Sequence, residues 1–268
     1  MKPSARQRLT QNRALPPALL ALGVLALWEV AVHVTGAPAW QLPAPSAIAQ
    51  AGWAMRATLL THAGYTMFEA AVGLLLALVI GVALATLIDF SPPVRRALYP
   101  LLVISQTVPL FVLAPWLVIL FGFGLAPKVI AVILVCFFPI VVSMSDGLAS
   151  ADPDLLALFR AMGATRWQTW RKVRLPASLP GLFSGLRIAA TYAVIGAIFG
   201  EWVGAQAGLG VSIQRSFRAS ATAQVLAVVV ITSVLSIGLF ALIWLIERIA
   251  LPWYHSTTRS AQWEEPGI

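Results

Sequence analysis

Three carboxylates stand where a bilayer makes a charge expensive. Glu29 interrupts an apolar run of about residues 18–34, Glu69 lies near the end of a second run over 65–88, and Glu201 closes another over 181–203. A carboxylate so placed is a proton or sodium site, a substrate contact, or a group that faces protein partners. The first role would make the chain an ion-coupled secondary transporter, but that class is expected to show midplane carboxylates and an inverted repeat. Glu69 and Glu201 fall near span ends, and no convincing repeat is visible. For Glu29, a structural place at the interface and a substrate contact both stay open. Other chemistry is sparse. The sequence has no Gly-x4-Gly-Lys-Ser/Thr phosphate loop, no His-Glu-x-x-His, and no Ser, His and Asp arrangement of a hydrolase. Cys136 is the single cysteine, inside an apolar run, and His33, His62 and His255 are scattered. The expectation is a chain with no catalytic residue, no metal site and no cofactor of its own.

Such carboxylates need apolar elements around them, and the composition supplies these. Of 268 residues 59% are hydrophobic and 10% charged, with a mean hydropathy of +0.86, whereas about a quarter of a soluble domain is charged. The fold class expected is all-α, a polytopic protein of the lipid bilayer. A net charge of +8 would suit nucleic acid, but not if the basic residues gather on one face of a membrane.

Six spans are read from the apolar runs, at about 18–34, 65–88, 98–121, 129–148, 181–203 and 224–251. The first could also be a signal peptide, since Ala37-Pro38-Ala39 resembles a cleavage site, although the length of the run favours a retained span. Ser46 is expected to cap a short amphipathic helix to about residue 60, and residues 89–97, with Pro92-Pro93, to form a loop. Gly73, Ala77, Gly81 and Ala85 recur every fourth residue, as do Gly181 with Gly185 and Gly196 with Gly200 and Gly204; such stripes let helices approach closely. The third span carries Pro100, Pro109 and Pro115 beside Gln106 and Thr107. Prolines free carbonyls that lipid cannot satisfy, so this span either lines a passage or is a kinked packing helix. Gln106, Thr107, Pro109 and Glu201 are the candidate pathway residues. Six spans with the amino terminus inside put the basic segment 1–17, Arg95, Arg96, the 160–174 cluster and the 252–268 tail on the cytoplasmic side. The transmembrane domain is then 18–251.

The longest polar interruption is Asp152 to Pro180. Asp152 can cap a helix that Pro153 begins, with Leu155, Leu158, Phe159 and Met162 along one side and Gly163 as its stop. Thr165 and Gln168 have capping-box spacing for a second helix, which places Trp167 and Trp170 on one face and ends at Leu175-Pro176. The apolar side is expected to lie against the membrane domain, with Arg160, Arg166, Arg171, Lys172 and Arg174 on or near the other. A basic loop that only sets topology is the simpler alternative.

The spacing of Gly163, nine residues, Val173, one residue, Leu175-Pro176 is similar to the cytoplasmic signature of ABC-importer permeases, Glu-Ala-Ala-x3-Gly-x9-Ile-x-Leu-Pro. Ala157, Leu158 and Phe159 replace its Glu-Ala-Ala, and Val173 its Ile. The runs Gly163-Ala164-Thr165-Arg166-Trp167-Gln168, 171–180 and Gly200-Glu201-Trp202-Val203-Gly204-Ala205 resemble the branch that moves nitrate, sulfonates, taurine and pyrimidine precursors. The resemblance implies a multi-pass inner-membrane permease that works as a homodimer. It also implies an ATPase subunit that holds ATP and Mg at the cytoplasmic face and an extracytoplasmic substrate-binding protein. Residues 152–174 would be the coupling loop, with Leu155, Leu158, Phe159, Arg160, Met162, Gly163, Ala164, Thr165, Arg166, Trp167, Val173, Leu175 and Pro176 serving the ATPase contact. The substrate it implies is a thiamin-pyrimidine precursor or a riboflavin-like aromatic, with sulfonates, taurine or nitrate as the alternative.

Overall fold

The computed structural model describes residues 15–254. Lys2, Arg6, Arg8 and Arg13 of the basic segment, His255, and the tail beyond it lie outside them. The chain forms two units, Met1–Leu59 with Ser212–Val230, and Leu60–Val211 with Ile231–Ile268. Its helices in order are α1 Leu15–Thr35, α2 Pro45–Ala54, α3 Arg56–Phe90, α4 Pro92–Ser105, α5 Leu110–Phe121, α6 Leu125–Ala149, α7 Pro153–Ala161, α8 Arg166–Thr169, α9 Leu175–Glu201, α10 Leu209–Arg218 and α11 Thr222–Ala250. The described residues are thus all-α.

In the first unit, Ser46 does not cap α2. Pro45 opens that helix after Ala44, and no side chain caps it from its own N-cap position. Instead the Ser46 N–H and hydroxyl both donate to the Glu29 carboxylate, at 3.0 and 2.6 Å. Glu29 therefore supplies an anionic cap from another helix, where the α2 dipole favours negative charge.

Several expected boundaries move in the second unit. Helix α3 runs unbroken through residues 60–65, because no proline or glycine turn there outweighs helix propagation. The loop expected over 89–97 shrinks to Ser91, since Pro92-Pro93 start α4, where a missing N–H costs nothing. Between the fifth and sixth expected spans, Leu209–Arg218 forms a further helix, α10, most of it in the first unit. The third span is not one rod: α4 and α5 meet at 102°, across a break over residues 106–109.

Small residues decide how α3, α6 and α9 pack. A Cβ on Gly73 would come within 2.4 Å of Val132, and one on Gly81 within 2.6 Å of Ile140. Successive positions on α3 thus meet successive positions on α6, so the two helices run parallel. On α9 the order is reversed, with Gly181 against Ser143, Gly185 against Pro139, Gly196 against Val132 and Gly200 against Lys128. Bare backbone at these points admits close helix contact, which is the main packing device where lipid gives no hydrophobic drive between helices. Parallel α3 and α6 have a further consequence. The chain leaves α3 on one membrane face and enters α6 on the other, so the bent α4–α5 pair crosses between them. It therefore counts as a broken span rather than a re-entrant loop, and with α1, α3, α6, α9 and α11 it makes six spans by length and composition among the described residues.

Candidate coupling site and buried polar groups

The 152–174 stretch folds as its sequence requires. The Asp152 carboxylate accepts from the N–H groups of Asp154 and Leu155, at 2.8 and 3.4 Å. Helix α7 ends at Gly163, whose φ is 72°; its N–H donates to the Arg160 carbonyl, and that of Ala164 to the Phe159 carbonyl, both at 3.0 Å. This pair of bonds is the Schellman ending that a left-handed glycine permits. Thr165 and Gln168 form the reciprocal capping box, with Gln168 N–H to the Thr165 hydroxyl at 3.2 Å and Thr165 N–H to the Gln168 side-chain oxygen at 2.8 Å.

Leu175-Pro176 does not end that second helix. Residues Trp170–Arg174 widen into a π-turn, with the Leu175 N–H bonded to the Trp170 carbonyl, and lead straight into α9. Pro176 in an uninterrupted α-helix would press its ring on the carbonyl four residues back, and the wider turn relieves that clash. The second coupling helix is thus the continuous base of a membrane helix.

The leucine side of α7 does not lie against the membrane domain, contrary to expectation. Leu155, Leu158 and Met162 are 40%, 53% and 75% exposed, and Trp167 on α8 is 56% exposed. The turn is held to the membrane domain by other groups. Trp170 and Val173 are buried; Trp167 stacks on Trp170 with centroids 5.0 Å apart, and both rings lie against Phe90 at the end of α3. The Arg174 guanidinium pairs with the Asp89 carboxylate. These contacts turn Leu156 and Arg160, about a third of a turn round α7 from the leucine stripe, toward the membrane domain, where they help wall a cavity. Phe159 is half-buried, Ala164 lines the same cavity, and Pro176 is exposed.

Gln106, Thr107 and Pro109 sit together at the bend between α4 and α5, all exposed. The Thr107 hydroxyl donates to the Ile104 carbonyl at 2.8 Å, and the Gln106 amide reaches the Leu134 carbonyl at 3.5 Å. Glu201 is not among them. It is 1% exposed; one carboxylate oxygen accepts from the Thr66 hydroxyl and the other from the Gly210 N–H, each at 2.6 Å. Thr66 in turn accepts from the Leu209 N–H at 2.9 Å, and His62 Nδ1 from the Gly208 N–H at 2.9 Å. Gly208 has φ 127°, and a Cβ there would lie 2.1 Å from the Glu201 carboxyl carbon. The knot ties Gly208 and the first turn of α10 to α3 and fills donors and acceptors that burial strips of water.

Two further carboxylates have basic partners. Glu69 takes a hydrogen bond from Lys128 at 2.5 Å, and Arg187, well inside α9, lies 3.1 Å from Glu247 on α11. Sequence reasoning missed His62, Thr66, Arg187 and Glu247. Arg187 and Glu247 stand inside the expected spans and are legible as intramembrane charges, but their pairing is not.

Six apolar spans among the described residues, with a capped helix pair seated on the π-turned base of one of them, fit a membrane transport subunit. The chain belongs to the family of binding-protein-dependent transport system inner membrane components, matched over residues 73–250. It is 40% identical over 242 residues to the formylaminopyrimidine transport permease protein ThiX of Halalkalibacterium halodurans, covering 90% of this chain and 96% of that one. It is 33% identical to the riboflavin transport system permease protein RibX of Chloroflexus aurantiacus, with 89% of each covered. An inward-facing crystal form of the MetNI methionine ABC transporter shares its fold, with a TM-score of 0.64 at 24% identity over 73% of this chain and 97% of that one. The chain is therefore the permease of an ABC importer, in the branch that its sequence resembles. That class displaces the reading of Glu29, Glu69 and Glu201 as sites of an ion-coupled carrier.

Proposed function

We propose that this permease imports a pyrimidine precursor of thiamin or a riboflavin-like aromatic, driven by a separate ATPase that docks on the 152–174 turn. The observation that carries the docking reading is the open stripe of Leu155, Leu158, Met162 and Trp167. These large apolar side chains cap a rigid, doubly capped turn, and a helix that offers such anchors fits an apolar groove on a partner. The π-turn joins that surface directly to α9, so a push on α7 and α8 moves a membrane helix as a body. The names of the ThiX and RibX relatives support the substrate class. In this reading an extracytoplasmic binding protein delivers the solute, two permeases form the path, and Gln106, Thr107 and Pro109 line it. The 160–174 basic residues and both chain ends face the cytoplasm. Relatives named for sulfonates and taurine make those solutes the second reading.

The test is purification of the tagged chain in mild detergent with identification of what stays bound. Recovery of an ATPase that is lost when residues 155–162 are scrambled is the expected result. Uptake assays with formylaminopyrimidine, riboflavin and taurine in cells that hold the whole system then discriminate the substrates. Retention of the ATPase by the scrambled chain would refute the docking surface.

A further inference from the structure

Behind the docking face lies a cavity of about 410 Å³ between the end of α3, the start of α4 and the coupling turn. Arg160, Arg166 and Arg174 line it with Asp89, Thr169 and Trp170. Asp89 is neutralised by Arg174. Neither Arg160 nor Arg166 has a carboxylate partner among the described residues, so the cavity keeps an excess of two guanidinium charges. Trp170 forms part of the wall and is itself only 8% exposed.

The position of the cavity narrows the choice of ligand. From Glu69 to Asp89, α3 rises about 30 Å, the thickness of the hydrocarbon core. The pairs Glu69–Lys128 and Asp89–Arg174 are thus about one core thickness apart along α3, which fits a cavity at headgroup depth. Guanidinium groups match phosphate oxygens with forked, charge-assisted hydrogen bonds, and basic pockets at this depth suit phosphate headgroups. We propose that this cavity is a phosphate-binding site, in which the forked guanidinium groups of Arg160 and Arg166 supply both the charge and the hydrogen-bond donors. Its occupant braces the coupling turn from the membrane side, while the leucine stripe stays free for the ATPase. The phosphate comes from an anionic phospholipid headgroup or from a free phosphate compound.

The test is calorimetric titration of the full chain in detergent with two probes, inorganic phosphate and the soluble short-chain lipid dihexanoyl phosphatidylglycerol. The expected result is a saturable site weakened at least about tenfold in the Arg160→Gln/Arg166→Gln double variant, as loss of charge-assisted hydrogen bonds requires. Both arginines are exposed, so an unchanged gel-filtration profile is expected of the variant. Binding of the lipid but not of inorganic phosphate assigns a headgroup, and equal binding of both assigns a free phosphate ligand; each supports the site. Titrations that do not saturate, or that are the same in the double variant, overturn it. Loss of a co-purifying ATPase with unchanged titrations would give the two arginines to that partner and also overturn it.

Discussion

The Arg174 guanidinium donates to the Asp89 carboxylate, joining residues 85 apart in sequence and fastening the π-turn to the last turn of α3. Both side chains are partly covered, at 33% and 14% exposed. Under the proposed docking, a push on the 152–174 turn would reach α3 through this pair and α9 through the continuous backbone. Asp89→Asn is expected to cost about 1–3 kcal/mol and to weaken the coupling of ATP hydrolysis to uptake. The swap of Asp89→Arg with Arg174→Asp should recover part of both in a double-mutant cycle of melting temperature and transport. A swap no better than the sum of the single variants would mean that the pair does not transmit.

Gly163 faces open space, with nothing within 4 Å of the point where a methyl group would stand, so substitution there meets only backbone strain. Its φ of 72° disfavours Ala by about 1–2 kcal/mol and disfavours a β-branched side chain more. Asn, which tolerates that region, should keep most uptake, Ala less, and Val least, all three with normal amounts in the membrane. Uptake that does not follow this order would show that the turn need not keep its shape.

Both carboxylate oxygens of Glu201 accept hydrogen bonds, and glutamine can match only one of them. Glu201→Gln should cost about 1–3 kcal/mol and speed hydrogen exchange at the 208–210 amides. It should reduce uptake less than Gly163→Val does. Abolished uptake, with those amides still protected and the ATPase still bound, would instead make Glu201 a gate or substrate contact.

The glycines of the spans differ sharply in what surrounds them. A Cβ at Gly181 would lie 2.6 Å from the Ser143 carbonyl oxygen, which is backbone and cannot turn away, whereas one at Gly238 meets nothing within 4 Å. Gly181→Val should destabilise by about 1–3 kcal/mol or more, while Gly238→Ala should stabilise by about 0.5–1 kcal/mol. Thermal melting of the two variants in one detergent checks the contrast.

Local rules make much of this fold legible. Asp152, Pro153, Gly163, Thr165 and Gln168 act within a few residues of themselves, and each does what its chemistry requires. The glycine stripes are legible as packing surfaces because a missing Cβ has the same meaning in any partner's presence. What escapes a reading of the sequence depends on distant residues. Ser46 is a sound cap in isolation, but Glu29 takes that role from 17 residues away. His62 meets Gly208 across 146 residues. The α7 stripe faces outward, against expectation, because Trp170 and Arg174, rather than the leucines, bind the turn to α3. Pro176 has the form of a stop, and a π-turn absorbs it.

On the proposed function, the open face of α7 receives the ATPase. The direct measurement is photo-cross-linking in cells, with a benzoylphenylalanine placed singly at Met162 on that face or at Phe123. Both positions are about three-quarters exposed, but Phe123 precedes α6, at the opposite end of that helix from the coupling turn. An adduct with an ATPase subunit from Met162 and none from Phe123 is the result expected. No ATPase adduct from Met162 while the subunit still co-purifies, or an equal adduct from Phe123, would contradict the account.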